Sequence, residues 1–266
     1  MSLSTERLRA LAGIQANFWT RMAERLYRQD GIQAWSSGLG DGWMNGVLAT
    51  ELAGTMPDRA IAGVAAFFRS ARVPWTWSVT PLCRPRDLGG LLQDAGFDHQ
   101  GSQAVLFHDR PGAAPADTSG FDIRPVRSAA DLARWTVPLY DGFGAPATPE
   151  QRFRDLTARV GLEEGAPFQH FVGYQDGEPA ACITLSVGRH GAGIDNLATC
   201  ARFRRRGWGS ALVRHTLAEA RRLGCDLVCL EPTDLSLELY RRLGFRDGFE
   251  RQLYVHPGTV GSALPR

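Results

Sequence analysis

The chain has 266 residues, of which 44 % are apolar and 22 % charged, and its net charge is +2. This is the composition of a folded globular protein, long enough for two small domains, and so small a charge gives no electrostatic reason to expect nucleic acid as a partner. No apolar run is long enough for a leader or a membrane span, so a cytoplasmic protein is expected.

All 30 cations are arginine, which lowers the weight of any one arginine cluster. The five cysteines, Cys83, Cys182, Cys200, Cys225 and Cys229, form no C-x-x-C pair. They read as small buried side chains, with neither a metal nor a disulfide implied.

In chain order, Leu8, Leu11, Ile14, Phe18, Met22 and Leu26 recur at helical spacing and predict a helix over residues 5–29. A glycine-rich turn over 35–42 precedes a strand over 44–50. A helix with Ile61, Val64, Ala65 and Phe68 on one face follows, running to about Arg72. The alternation over 74–79 predicts a strand. A helix over 86–94 stops at Gly96-Phe97, and a strand over 103–108 follows.

Residues 111–120, PGAAPADTSG, read as a linker. Beyond it come a strand over 121–126 and a helix to Leu139 that turns Leu132, Trp135 and Leu139 inward. A flexible stretch over 142–149 and a helix over 150–160 are expected next. Strands over 169–174 and 178–187 flank the hairpin turn Gln175-Asp176-Gly177. His170 and His190 read as surface or loop residues.

An apolar strand over 194–199 then meets a cationic turn over 202–206. It enters a helix at Gly207-Trp208-Gly209, bounded by Gly224. Strand, basic glycine turn and helix start make an anion site. Free N–H groups point at the ligand, and glycines let the backbone come close to a diphosphate. A strand over 226–230, a helix over 235–243 capped by Thr233 or Asp234, and a strand over 249–255 close the chain.

The two halves parallel one another. Leu48-Ala49-Thr50 matches Leu197-Ala198-Thr199, and Ala95-Gly96-Phe97 matches Leu243-Gly244-Phe245. Thr50 to Phe97 is 47 positions and Thr199 to Phe245 is 46. The first copy lacks the glycines: Thr55-Met56-Pro57-Asp58-Arg59-Ala60 stands at its turn, and Leu92 stands where the second copy has Tyr240.

Arg204-Arg205-Arg206-Gly207-Trp208-Gly209 reads R-x-x-G-x-G, and Leu239-Tyr240-Arg241-Arg242-Leu243-Gly244-Phe245 reads L-Y-x-x-x-G-F. In this order, with a strand between them, the two motifs resemble the GCN5-related N-acetyltransferase (GNAT) superfamily over residues 121–256. The resemblance implies an α/β (α+β) fold of two tandem acetyltransferase-like domains. Each would be a mixed, mostly antiparallel sheet flanked by helices. Residues 1–110 would form the degenerate copy, 111–120 the linker, and 121–266 the catalytic copy.

The resemblance further implies acetyl-CoA as cofactor, held by main-chain groups of Leu197, Ala198 and Thr199 and by Arg204, Arg205, Arg206, Gly207, Trp208, Gly209 and Ser210. Tyr240 would be the general acid, a phenol with a pKa of about 10 matched to a thiolate. Either Asp195 or Glu231 would be the base. Alternation puts Asp195 and Asn196 on opposite strand faces, so one of them faces the cleft. The family's frequent asparagine before the second helix is replaced, with Thr233 nearest.

The acceptor, a small-molecule amine or an amino acid, would bind between the domains near Tyr140, Phe143 and Asn196. A non-catalytic acyl-CoA-binding module and a peptide or protein acetyltransferase are the alternatives. A monomer or homodimer is expected, with no membrane partner.

Overall fold

The structure, a computed structural model, describes residues 3–52, 56–112, 120–144 and 150–256. The elements in chain order are α1 (Thr5–Met22), β1 (Arg25–Gln29), β2 (Ile32–Ser36), β3 (Asn45–Thr50), α2 (Pro57–Ala71), β4 (Thr76–Val79), α3 (Leu88–Asp94) and β5 (Asp98–Asp109). The second half continues with β6 (Phe121–Pro125), α4 (Ala129–Phe143), α5 (Glu150–Arg159), β7 (Phe168–Gln175), β8 (Glu178–Gly188) and β9 (Gly191–Thr199). It ends with α6 (Trp208–Arg222), β10 (Leu227–Leu230), α7 (Leu237–Arg242) and β11 (Arg246–Val255). This is the mixed, mostly antiparallel α/β architecture that the motifs imply.

The chain divides into two compact units. One comprises residues 1–12, 19–105 and 248–266; the other comprises 13–18 and 106–247. In the first, the strand order is β1-β2-β3-β4-β11-β5, with β3 and β4 parallel. Its core gathers Val47, Ile61, Val64, Phe68, Trp75, Trp77 and Phe97. In the second, the last residues of β5 pair with β10, followed by β9, β8, β7 and β6; only β10 and β9 run parallel. There α6 buries Leu212, Val213, Leu217 and Ala220 against Ile183, Leu185 and Ile194 of the sheet. The five cysteines are buried free thiols.

Several local expectations are corrected. The first helix ends at Met22, and Leu26 lies on β1 with 45 % exposure. Residues Asp30 and Gly31, both at positive φ (51° and 74°), turn β1 back onto β2 as a two-residue hairpin. That turn signal outweighs one more apolar residue at helical spacing. Helix α4 runs through Gly142 to Phe143, past the expected break at Leu139; residues 145–149 lie outside the described residues, as do 113–119 of the linker. Helix α7 starts at Leu237, with Ser236 as its N-cap in place of Thr233 or Asp234. The Ser236 hydroxyl is turned instead toward Thr233, whose N–H donates to it at 2.9 Å.

The duplication is written into the backbone. Strand β9 carries a bulge where Cys182 faces Ala198 but Thr184 faces Asp195, so Asn196 and Leu197 together oppose Ile183. Strand β3 carries one at the matching place, with Gln33 facing Ala49 and Ala34 facing Val47, which leaves Leu48 unpaired. In both copies the irregularity falls at the leucine of Leu-Ala-Thr.

Candidate active site

Strand β9 positions the site. On its β8 side it is paired along its length, but on its β10 side pairing stops at Leu230 and Ile194. Among the described residues no strand pairs with 195–199 on that side, so the strand offers an open edge. A chain in extended conformation can add there through main-chain hydrogen bonds. The bulge residue Asn196 takes φ 57°, a left-handed conformation uncommon for any residue but glycine. Because of this bulge, strict alternation fails at Asn196, and the expected opposition of Asp195 and Asn196 does not follow from strand geometry.

Two side chains hold the bulge. The Cys182 thiol donates to the Asn196 carbonyl at 3.4 Å, and the Asn196 amide donates to Thr184 Oγ1 at 3.4 Å. Thr184 Oγ1 lies 2.7 Å from His170 Nδ1. His170 is therefore no surface residue: it is 1 % exposed on β7, against the edge of Trp135. Burial lowers its pKa to about 3, with a smaller contribution from Arg127, so the ring is neutral.

The open edge runs into the start of α6. Gly207 is the N-cap at φ 86°, and no side chain caps this helix. The Arg204 N–H bonds to Ala201 O and the Ala211 N–H to Gly207 O. Between them, the N–H groups of 205–210 have no hydrogen-bond partner among the described residues. A Cβ at Gly207 would meet nothing within 4 Å, and one at Gly209 nothing nearer than 3.8 Å. Protein packing does not demand glycine at 209, and the space in front of it is open. These residues fit a diphosphate: unbonded amides, helix dipole and bare backbone coincide.

The arginines separate by environment. Arg204 is committed to the carbonyls of Thr199 and Gly142, at 3.3 Å each. Arg202 pairs with Glu178, and Arg206 lies over the Phe203 ring at 5.6 Å. Arg205 is exposed at φ 62°. The Trp208 side chain points into the unit, stacked on Phe121 at 4.3 Å and bonded to Gln175 at 2.7 Å, so its main chain alone is turned toward the helix start.

Beside the open edge sits a group of acids. Asp195 accepts a 2.8 Å hydrogen bond from Ser186 Oγ. Its pKa is raised to about 7, chiefly by burial, opposed by the Ser186 bond and increased by the charge of Glu231. Glu231, half-buried at the end of β10, accepts a hydrogen bond from the Gln15 carboxamide of α1. Tyr240 is 4 % exposed, packed edge-on to Phe245 at 5.5 Å. Burial, then the Asp195 charge, pushes its phenol above the usual range, so it keeps its proton.

Helix α4 closes one side: a Cβ on Gly142 would fall 2.9 Å from the Ala198 Cβ, and Asp141 accepts from the Ala201 N–H. Tyr140 and Phe143 thus both lie on this helix, Phe143 half exposed although it falls in the stretch expected to be flexible.

Asp195, Glu231 and Tyr240 come together, as do the residues of the open edge and the helix start. Sequence reasoning missed Ser186 and Gln15. Ser186 had a signal, since it lies on the strand that pairs with β9. Gln15 sits some two hundred positions from its partner, on a helix whose apolar pattern draws attention elsewhere.

The sequence pattern of the acetyltransferase (GNAT) family matches residues 130–245. No curated protein matches the chain. A GCN5-related N-acetyltransferase from Kribbella flavida shares 17 % identity and a TM-score of 0.73, with 97 % of each chain covered. One from Sphaerobacter thermophilus shares 15 % identity and a TM-score of 0.59, over 78 % of this chain and 71 % of its own. A tandem GNAT protein from the clavulanic acid biosynthesis pathway shares 15 % identity and a TM-score of 0.55, over 84 % and 77 %. At such identities the structures speak for the fold. The motifs, the family match and the shared tandem fold agree, and residues 130–245 of this chain belong to the GNAT acetyltransferase family.

Proposed function

We propose that the second unit is an acetyl-CoA-dependent N-acetyltransferase acting on a small amine or amino acid, with Asp195 as general base and Tyr240 as general acid. The observation that carries this reading is the open edge of residues 195–199 leading straight into the unbonded amides of 205–210, with Asp195 and Tyr240 alongside.

Acetyl-CoA, when bound, supplies an acetyl thioester. Main-chain groups of Leu197, Ala198 and Thr199 bind its extended arm, and one N–H of the bulge polarises the thioester carbonyl. The amides of Gly207, Trp208, Gly209 and Ser210 hold the diphosphate, with Arg205 and Arg206 adding charge. Arg204 contributes by fixing the turn, because its guanidinium already binds two carbonyls.

Asp195 takes a proton from the acceptor's ammonium and frees the nitrogen lone pair. As the C–N bond forms and the C–S bond breaks, Tyr240 gives its phenolic proton to the departing sulfur. It regains one from the acceptor nitrogen. A carboxyl with a pKa near 7 is matched to this task near neutrality. A module that only bound acyl-CoA would have no use for a half-buried carboxyl that costs stability, which favours the enzyme.

The test is calorimetry and turnover on two variants. Gly209→Asp places a carboxylate where the diphosphate sits and is expected to abolish acetyl-CoA binding while leaving the melting transition cooperative. Unchanged affinity refutes the phosphate assignment. Tyr240→Phe is expected to lower turnover at least about tenfold with little change in acetyl-CoA affinity; a wild-type rate removes Tyr240 as the acid.

A further inference from the structure

Strand β8 presents Cys182, Thr184 and Ser186 on one face, and each of the three grips the bulge of β9. The Cys182 thiol donates to Asn196 O, Thr184 Oγ1 accepts from the Asn196 carboxamide, and Ser186 Oγ donates to Asp195. Asp195 and Asn196 therefore turn their side chains to the same face, as a bulge allows and a regular strand does not. Across from Thr184 in the next strand stands His170, with Nδ1 2.7 Å from the hydroxyl. The chain of contacts thus runs from His170 through Thr184 to Asn196 and ends at the open edge of β9.

These contacts fix the direction of the peptide unit between Asn196 and Leu197. Its carbonyl is turned to β8, where it meets the Cys182 thiol. In a planar trans unit the N–H points the opposite way, so the Leu197 N–H faces the open edge. Asn196 keeps that plane only at φ 57°, a conformation that its surroundings must enforce. Thr184 ties the Asn196 side chain down. It is fully buried, so its hydroxyl answers to protein partners alone.

Packing by itself gives no reason for an imidazole behind Thr184. His170 packs on Trp135 and Phe168, at 4.9 and 5.9 Å between ring centres, and its Nε2 has no hydrogen-bond partner among the described residues. A phenyl ring would fill that space without burying an unpaired nitrogen, which is unfavourable. What the imidazole adds is the bond to Thr184. Burial keeps the ring neutral to well below neutral pH, so its part is geometric and not that of a base.

We propose that His170 and Thr184 are positioning residues for the acetyl transfer: His170 orients the Thr184 hydroxyl, Thr184 holds Asn196 in its left-handed bulge, and the Leu197 N–H is thereby aimed at the thioester carbonyl. This rests on the acetyltransferase reading above and deepens it, naming which amide of the bulge polarises the carbonyl and what holds it in place.

The experiment compares variants of the full chain. Thr184→Val is expected to lower kcat at least about tenfold, with acetyl-CoA affinity and acceptor KM within about threefold, because an amide aimed at a carbonyl that gains charge acts mostly on the transition state. Thr184→Ser keeps the hydroxyl and is expected to stay within about threefold of the wild-type kcat. His170→Phe leaves Thr184 in place but unheld and is expected to lower kcat at least about threefold. The double variant Thr184→Val/His170→Phe removes both polar partners at once. It is expected to regain most of the melting temperature lost in Thr184→Val but none of its kcat. The infrared carbonyl band of bound acetyl-CoA, isotope-labelled at the thioester carbonyl, is expected at higher frequency in Thr184→Val than in the wild type, since a misaligned N–H polarises the carbonyl less.

A wild-type kcat in Thr184→Val or His170→Phe, a kcat that returns with the melting temperature in the double variant, or an unmoved carbonyl band overturns the proposal while the coenzyme assignment stands. A wild-type chain that binds no acetyl-CoA brings down the acetyltransferase reading, and the proposal with it.

Discussion

Asp195 shows how one residue couples fold stability to chemistry. Unfolded, an aspartate loses its proton near pH 3.9; here it keeps it to about pH 7. Below pH 4 both states are protonated and the residue is neutral to stability. Between pH 4 and 7 the unfolded chain alone ionises, so stability falls as pH rises, and above 7 the deficit is constant. Asp195→Asn is therefore expected to raise the melting temperature at pH 8 and leave it nearly unchanged at pH 4. The gain is on the order of 1–3 kcal/mol, below the about 4 kcal/mol of the full shift because the residue keeps some solvent contact. The same variant should lose the rising limb of the kcat/KM profile near pH 7. Ser186→Ala, which removes a bond that favours the ionised carboxyl, should move that limb to higher pH. A limb that stays in place in both variants assigns the base elsewhere.

At the scale of elements the two copies differ. Strand β9 ends open, but the end of β3 is taken by the chain itself: the Arg84 N–H donates to Thr50 O at 2.9 Å, and the Leu52 N–H to Arg84 O at 3.0 Å. Helix α2, with Met56 as N-cap, starts with Pro57 and Asp58, giving an acid and an imino acid where α6 has bare glycine amides. Four positions before the threonine of Leu-Ala-Thr, Asp195 is replaced by Gly46. The expected stoichiometry by calorimetry is therefore one acetyl-CoA per chain, falling to none in Gly209→Asp. Two sites per chain would contradict this account.

The R-x-x-G-x-G turn, the L-Y-x-x-x-G-F helix and the duplicated Leu-Ala-Thr were readable because local backbone demands leave fixed residues at fixed spacing. Arg84 at the edge of β3, Gln15 on Glu231 and the depth of His170 were not. Each depends on packing between segments far apart in sequence, and none leaves a periodic trace.

For the whole molecule, the copies proposed at 1–110 and 121–266, with a linker at 111–120, are not the same cut as the compact units. The last strand among the described residues belongs to the first unit, where Gln252, Leu253 and Tyr254 pair with Val79, Ser78 and Trp77. The end of β5 belongs to the second, where residues 106–109 pair with Leu227–Leu230. A fragment of residues 121–266 thus lacks the strand beside β10 and carries β11 without its β4 partner. Unpaired edges of this kind invite association. That fragment is expected to melt well below the full chain or to aggregate, as read by scanning calorimetry and light scattering. Cooperative melting at the full-chain temperature would show that the strands are dispensable.

Gly46 limits what the first copy can carry at the position matching Asp195. A side chain begun there would meet Thr76 O at 2.4 Å and the Trp35 ring at 2.9 Å. An acid at that point would require the neighbouring strand and an indole to retreat. Packing at this one point thus holds the first copy to a residue without a side chain, whatever its neighbours on β3 become.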